Sequence, residues 1–292
     1  MFLIEPFIWM FSVKNFKHHF AYLLLVAAVC WLLTYLIYFF YRGYFLTNSI
    51  LLNIVVIIAC VALFLTPFLC LTGYYWCLTD NVIGRTQEAK LNSVYNGKHA
   101  DLKNVITLPD WDIPRFIWRG IASIFATLIM YIPFTLIMIL IVFNLSLLAV
   151  MWSLDTQQVT IITFIFVILF TLLIPGLLWN YARRDSVMAV LNIPVAFYLM
   201  DCYPGKYFLN SFLIVVFSIV RSLIMRAVVF ALGFGTTLTA LYTMSSAQLA
   251  TLPGTDLVPI FIILLILGYV IDAYWIFVNA YLLGTIAPPS EY

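Results

Sequence analysis

Charged residues are scarce in this sequence. Asp, Glu, Lys and Arg make up 9% of the 292 residues, whereas hydrophobic residues make up 65%, and the mean hydropathy is +1.10. So few polar side chains cannot cover a water-soluble core of this size. The composition therefore predicts an all-α integral membrane protein surrounded by the lipid bilayer. The net charge of +2 is too small to indicate nucleic acid as a partner.

The residue types that enzymes use are also rare. All three histidines (His18, His19 and His99) lie in polar intervals, and the apolar runs contain a single carboxylate, Asp272. Hydrolysis in a membrane requires a nucleophile with a base, two carboxylates or a metal cluster. The five cysteines show no CxxC spacing, and most fall in apolar runs. We therefore assign no catalytic residue, metal or cofactor, and the sequence favours a role other than catalysis.

Six apolar segments have the roughly 20 residues needed to cross a bilayer. They are predicted at residues 20–41, 50–71, 117–150, 159–181, 207–244 and 257–284. Residues 1–19 predict an interfacial N-terminal segment. The interval 187–206 contains Pro194 and Pro204, which disfavour a straight span, so it is predicted to be interfacial or re-entrant. Residues 1–292 are predicted to form one polytopic domain of about six transmembrane helices plus interfacial helices.

The longest polar interval is residues 72–116, which we call the belt and predict to lie along the cytoplasmic face. Its basic and aromatic residues are typical of a segment on anionic headgroups. Asp110 and Asp112 flank Trp111. This pattern predicts a turn with an N-cap, followed by Pro114 at the first helical position, and the alternative is a pair of carboxylates. The residues around this helix start form the belt motif, a candidate interfacial site consisting of Leu108, Pro109, Asp110, Trp111, Asp112, Arg115, Trp118, Arg119 and Gly120.

Basic residues are distributed unevenly between the two sides of a six-span arrangement. Eleven of the fourteen Lys and Arg residues fall on the side with the termini and the belt, and only Arg42 falls on the other side. Lys and Arg near span ends are retained in the cytoplasm. The sequence therefore predicts a multi-pass protein of the cell membrane with both termini cytoplasmic.

A short sequence pattern occurs twice in the chain, with weak similarity between the two copies. Leu65-Thr66-Pro67, followed by Gly73-Tyr74, resembles Leu173-Ile174-Pro175, followed by Asn180-Tyr181. This pattern predicts a weak two-fold repeat, with coincidence as the alternative.

Several short motifs resemble those of an uncharacterised prokaryotic multi-pass family, catalogued only as a domain of unknown function with the number four thousand and thirteen. The resemblance covers roughly residues 65–284. It implies the six-span architecture and no particular chemistry. The chain departs from the family pattern in the more charged segment between Asp80 and Thr107 and in Arg221 and Arg226. The matching motifs are Pro67 with Gly73-Tyr74, Leu108-Pro109-x-Trp111 before Trp118-x-Gly120, Tyr131-x-Pro133, and Ala280-Tyr281-Leu282-Leu283-Gly284.

Three ionisable residues, Arg221, Arg226 and Asp272, fall within predicted spans. A charge at mid-bilayer costs about 2.5 to 3.5 kcal/mol on insertion scales and is rarely kept without a partner. Counted from the cytoplasmic span ends, Arg221 and Asp272 reach comparable depths. An intramembrane ion pair of Asp272 with Arg221, or with Arg226, is therefore predicted. The alternatives are arginines that extend toward the headgroups and a substrate or ion site.

Two functions are compatible with this sequence. The first is a structural or accessory role in membrane organisation or in assembly of a membrane complex. The second is transport of a small molecule, lipid or ion by buried polar groups around Asp272. A water-filled cavity reaching Asp272 would favour transport, whereas a dry, packed interior would favour the accessory role.

Overall fold

The chain is built from helices whose lengths follow its apolar runs. The structure is a computed structural model and describes residues 5–42, 50–96, 107–152, 156–231 and 257–286. No strand occurs within these residues. In chain order the helices are α1 (Glu5–Ser12), α2 (Phe16–Arg42), α3 (Ile50–Asn96), α4 (Ile113–Trp152), α5 (Thr156–Arg184), a short 3-10 helix (Val187–Leu191), α6 (Ile193–Cys202), α7 (Pro204–Ala231) and α8 (Leu257–Gly284).

Within the described residues, six helices are long and apolar enough to cross a membrane: α2, α3, α4, α5, α7 and α8. Successive members of this set run in opposite directions between the two ends of a bundle. The predicted all-α membrane fold is therefore confirmed. The weak two-fold repeat stays a prediction.

One end of the bundle, which we call the packed end, contains most of the buried side chains. Here α1, the 3-10 helix and α6 meet the beginnings of α2, α4 and α7 and the ends of α3, α5 and α8. Large side chains are fully buried in this region, for example Trp9, Tyr74, Phe116, Tyr181 and Phe277. Trp9 of α1 stacks on Tyr281 of α8 with ring centroids 5.1 Å apart. Short elements thus fill the space between the ends of the long helices.

The opposite end, which we call the open end, is loosely packed. Side chains such as Ile137 and Leu140 of α4 and Ile161 and Phe164 of α5 are more than half exposed. Only 11% to 33% of each candidate span's most apolar window is buried within the protein. Lipid tails are as apolar as these side chains, so exposure to the bilayer carries little penalty.

Helix α3 differs from the prediction. The second span was expected to end at Leu71 and to be followed by a belt, but the helix continues without interruption to Asn96, for 47 residues. It contains Pro67, and the polar residues that follow include good helix formers, such as Gln87 and Lys90. At 1.5 Å per residue its length is about 70 Å, more than twice the thickness of the hydrocarbon core. Much of the belt is therefore helix packed in the protein.

Helices α2, α4 and α5 also extend beyond the predicted spans, whereas α8 has the predicted bounds. Residues 117–150 correspond to α4, which begins four residues earlier, and 159–181 correspond to α5. The predicted 207–244 span corresponds to α7, and its residues beyond 231 lie outside the described part. The interval 187–206 forms the 3-10 helix, α6 and the start of α7. At ten residues, α6 is too short to span a bilayer, and it buries Val195, Ala196 and Leu199.

Helices α3 and α4 cross in direct backbone contact. A methyl group at Gly73 would overlap the carbonyl oxygen of Phe116, and one at Gly120 would overlap the carbonyl oxygen of Leu69. Both positions therefore require glycine. Small residues allow this close approach in membranes, where helices associate through van der Waals packing. The glycines of two motifs quoted above thus fix the crossing point of two spans.

Candidate functional site

Arg119 is buried at the packed end, with 2% of its side chain exposed. One terminal nitrogen donates to the carbonyl oxygen of Ala182 at 2.6 Å, and the other lies 3.4 Å from Sγ of Cys77. Its Nε is 2.8 Å from Oδ1 of Asp185, an ion-pair distance without hydrogen-bond alignment. A buried guanidinium requires such partners because an uncompensated charge away from water is costly. Arg119 therefore connects α3 and α4 to the end of α5.

Asp185 is held in an uncommon backbone conformation. Its φ is +51°, in the left-handed region, and its N–H donates to the carbonyl oxygen of Tyr181 at 3.0 Å. This hydrogen bond closes the last turn of α5 at a position that glycine or asparagine usually occupies. Aspartate tolerates the conformation better than most residues. The turn directs the carboxylate toward Arg119.

A second ion pair lies beside the first. Arg183 contacts Oδ1 of Asp80 at 3.4 Å, and both side chains are half-buried. The hydroxyl of Tyr181 donates to the carbonyl oxygen of Arg119 at 3.3 Å. We call the six side chains with these contacts the Arg119 network: Cys77, Asp80, Arg119, Tyr181, Arg183 and Asp185. Its two arginines are balanced by two aspartates, as expected of a structural network.

The belt motif is divided between an aromatic cluster, a helix cap and the Arg119 network. Trp111 lies 5.8 Å from the His19 ring and 5.6 Å from the Phe116 ring, joining α2 to α4. The carboxylate of Asp112 accepts from the N–H of Arg115 at 3.2 Å, which caps α4. Three members of the motif are on the surface: Asp110, Arg115 and Trp118, of which Trp118 is 72% exposed. Pro109 and Arg119 are buried, and Leu108 packs at the edge of the core. Gly120 lies where α3 and α4 cross.

The prediction of a surface belt did not anticipate the burial of Arg119. In the sequence, Trp118 and Arg119 resemble an interfacial aromatic-basic pair. Helical geometry rotates consecutive residues by about 100°, so Trp118 faces outward while Arg119 faces α3 and α5. The nearby Gly120 could have indicated this, since it shows which face of α4 approaches another helix.

Lys90, in the extension of α3, contacts another part of the packed end. Its Nζ lies 4.0 Å from the ring centroid of Tyr203, at a cation–π distance. Burial raises the pKa of the Tyr203 hydroxyl, and the nearby Cys202 adds to this effect. The contact joins the extension of α3 to the junction between α6 and α7.

Arg221 of α7 and Asp272 of α8 are brought together. Nε of Arg221 donates to Oδ1 of Asp272 at 2.6 Å, and a terminal nitrogen contacts the same oxygen. The side chains are 39% and 26% exposed, so the pair lies at the side of the bundle. Arg226, more than one turn further along α7, is exposed. Of the two arginines considered for Asp272, Arg221 is the one in contact.

Several hydrogen bonds between elements were not anticipated from the sequence. The hydroxyl of Tyr207 donates to the carbonyl oxygen of Leu172 at 2.6 Å and accepts from the N–H of Gly176 at 3.1 Å. Asn210, one turn further along α7, donates to the carbonyl oxygen of Leu282 at 2.8 Å. These side chains bind backbone groups on α5 and α8. Their spacing of three residues was the available signal, because it places both on one face of α7.

An apolar groove lies between α2, α3 and α8 toward the open end. It has a volume of about 750 Å³, and its wall includes Ala27, Ala28, Trp31, Tyr35, Phe64 and Tyr269. Nearly all of the atoms that face it are apolar. Asp272 is not part of its lining, although Tyr269 and Val270 are.

The site and the fold together define the class, an all-α multi-pass membrane protein in which ion pairs such as Arg119–Asp185 and Arg221–Asp272 link different helices. Among the described residues, no group of three or more His, Cys, Asp or Glu side chains is placed to hold a metal ion. No family model, no curated protein and no solved structure matches this chain. The family resemblance carried by its short motifs therefore stays a prediction.

Proposed function

We propose that this protein has a structural or accessory role, organising the membrane or supporting assembly of a membrane complex. The observation that carries the proposal is the pairing of Arg119 with Asp185 and of Arg221 with Asp272. A carboxylate bound by arginine is a poor site for a transported cation, because the guanidinium competes for the same oxygens. Such pairs instead fix neighbouring helices.

The groove between α2, α3 and α8 also favours the accessory role over a transport function that uses Asp272. A pathway for an ion or polar solute would present polar groups to water. The groove presents apolar atoms, and Asp272 lies outside its wall. This arrangement fits a protein that contacts lipid or other apolar surfaces.

We further propose that the packed end faces the cytoplasm, in a cell membrane. The unequal distribution of basic residues supports this orientation. Cysteine introduced at Asp110, at the packed end, should be labelled only from the cytoplasm by an impermeant maleimide. Cysteine at Gln157, at the open end, should be labelled only from outside. Both variants require a background without the five native cysteines, and the reverse labelling pattern would refute the orientation.

The accessory role is tested by deletion in the cells to which the chain is native. Native separation of membrane complexes in a mild detergent should show this chain migrating with a larger assembly, whose abundance falls on deletion. Wild-type chain and the Arg115→Met variant should restore the assembly, and Arg119→Met should not.

A parallel flux measurement tests the alternative. Purified protein in liposomes containing a pH-sensitive dye should show no proton flux that depends on Asp272. Unchanged assemblies after deletion, together with flux abolished by Asp272→Asn, would overturn the accessory role in favour of transport.

A further inference from the structure

We infer that the apolar groove between α2, α3 and α8 binds one acyl chain of a membrane lipid and retains it when bulk lipid is removed. The inference goes beyond the proposed accessory role and does not depend on it.

The groove is continuous with the surface that faces the bilayer. Leu32 and Tyr35 of α2 and Ile266 of α8 line it and are also among the exposed apolar side chains of the spans. All three helices are long and apolar enough to cross a membrane, and in a bilayer the solvent around such spans is hydrocarbon. An acyl chain can therefore enter from the side without leaving the apolar phase.

Three polar groups in the groove wall, on Trp31, Thr34 and Tyr269, are hydrogen-bonded to backbone. Nε1 of Trp31 donates to the carbonyl oxygen of Phe64 at 3.4 Å, and the Thr34 hydroxyl donates to that of Cys30 at 2.8 Å. The Tyr269 hydroxyl lies 3.3 Å from the carbonyl oxygen of Leu23. These bonds leave mainly apolar atoms facing the groove. A polar ligand would lose its hydrogen bonds to water there, whereas an acyl chain would lose none.

The size and wall of the groove favour an acyl chain over a partner helix. Its volume of about 750 Å³ lies within the range of small-molecule sites, roughly 300 to 1,000 Å³. A transmembrane helix is about 10 Å across and packs best on small residues that allow the backbones to approach. Here Trp31, Tyr35, Phe64 and Tyr269 form aromatic walls, with Ala27 and Ala28 as the small residues. Such a cleft matches a single flexible chain.

Native mass spectrometry tests this inference with 1-palmitoyl-2-oleoyl phosphatidylcholine as the probe. Wild-type protein is loaded with the lipid and then exchanged into detergent. One lipid adduct should remain on the wild-type protein. Ala28→Trp places an indole in the groove and should weaken lipid binding about tenfold, which corresponds to about 1.4 kcal/mol.

The matched control is Ala62→Trp on α3, an exposed position outside the groove wall. It should retain the adduct as the wild type does. Comparable lipid loss in the two variants, or no adduct on wild-type protein, would overturn the inference.

Photocrosslinking identifies the occupant directly. A benzoylphenylalanine at Tyr35, irradiated after detergent exchange, should add the mass of the phosphatidylcholine to its peptide. The same group at Val61, which is exposed on α3 outside the groove wall, reports residual lipid on the outer surface and should give little product. A crosslink from Tyr35 to a second copy of the chain, and none to lipid, would contradict the inference and show that the groove is occupied by protein.

Discussion

The same helices are held by different interactions at their two ends. At the packed end, α3 and α4 touch through Gly73 and Gly120, and buried Arg119 joins them to the end of α5. At the open end, side chains such as Ile137 and Phe164 face outward into lipid. Helices in a bilayer gain no hydrophobic free energy by associating, so close packing occurs where small residues, hydrogen bonds and ion pairs are available.

The comparison shows where the specificity of the fold lies. Long apolar runs are sufficient to place six helices across a membrane, as at the open end. Their mutual arrangement depends on a few residues near one interface. Substitutions at the two ends should therefore differ sharply in their effect on stability.

The largest effect is expected from Gly73→Ala. The added methyl group would overlap the carbonyl oxygen of Phe116, so α3 and α4 must separate. We expect misfolding or a loss above about 4 kcal/mol, the range that marks a specific structural defect. Thermal unfolding in detergent provides the measurement. The control is Gly84→Ala on the same helix, where a methyl group meets open space and should be neutral or stabilising. Equal losses in both variants would rule out the close crossing.

Arg119→Met should have the next largest effect. It leaves the carbonyl oxygen of Ala182 and the carboxylate of Asp185 without their partner. Because Asp185 is partly solvated, we expect about 2 to 3 kcal/mol of destabilisation, below the full cost of breaking a buried pair. Arg115→Met, one turn earlier, changes an exposed side chain in the first turn of α4 and should change the unfolding midpoint little. A similar loss at Arg115 would show that charge near the interface, not burial, is responsible.

A smaller effect is expected for the pair at the side of the bundle. Asp272→Asn and Arg221→Gln should each lower thermal stability, and the double variant should recover much of the loss. The coupling free energy should be about 1 to 2 kcal/mol, because both side chains are partly exposed. Arg226→Gln combined with Asp272→Asn is the matched control and should be additive. If the stability losses of Arg221→Gln and Asp272→Asn simply add in the double variant, Arg221 and Asp272 do not form an ion pair.

The smallest effect is expected at the open end. Leu140→Ala on α4 removes a side chain that is 59% exposed, and stability should change by no more than about 0.5 kcal/mol. The same substitution at fully buried Leu78 should cost about 2 to 5 kcal/mol. A comparable loss at Leu140 would mean that the open end is packed against something in the purified protein.

The sequence predicted the features that depend on local composition. Six apolar runs long enough to span the membrane became six helices. The predicted N-cap before Pro114 is also present: Asp112 provides it, and the helix begins one residue earlier than expected, at Ile113. Arg221 was predicted to pair with Asp272 because both lie at similar depths when residues are counted from the cytoplasmic span ends. The two side chains are in contact. Each of these features can be deduced from one segment or from a simple length.

Features that depend on tertiary packing were not predictable. The belt was expected on the membrane surface because its residues are polar, but residues 72–96 continue α3 and bury part of that surface against other helices. Arg119 was grouped with exposed neighbours because its ion-pair partner, Asp185, lies more than sixty residues away in the sequence. Composition does not reveal such distant partners.

The position of Gly73 also gives α3 the geometry of a lever. Gly73 is the midpoint of a helix that runs from Ile50 to Asn96, with 23 residues on either side. At 1.5 Å per residue each arm is about 35 Å long, so a tilt of 10° about the crossing would displace both ends by about 6 Å in opposite directions. Spin labels at Ile54 and Glu88, each measured against α4, would report such anticorrelated motion. If α3 moves as a rigid rod, a shift between α2, α3 and α8 would be transmitted to the polar end of the helix, and a bend at Pro67 would reduce the transmitted displacement.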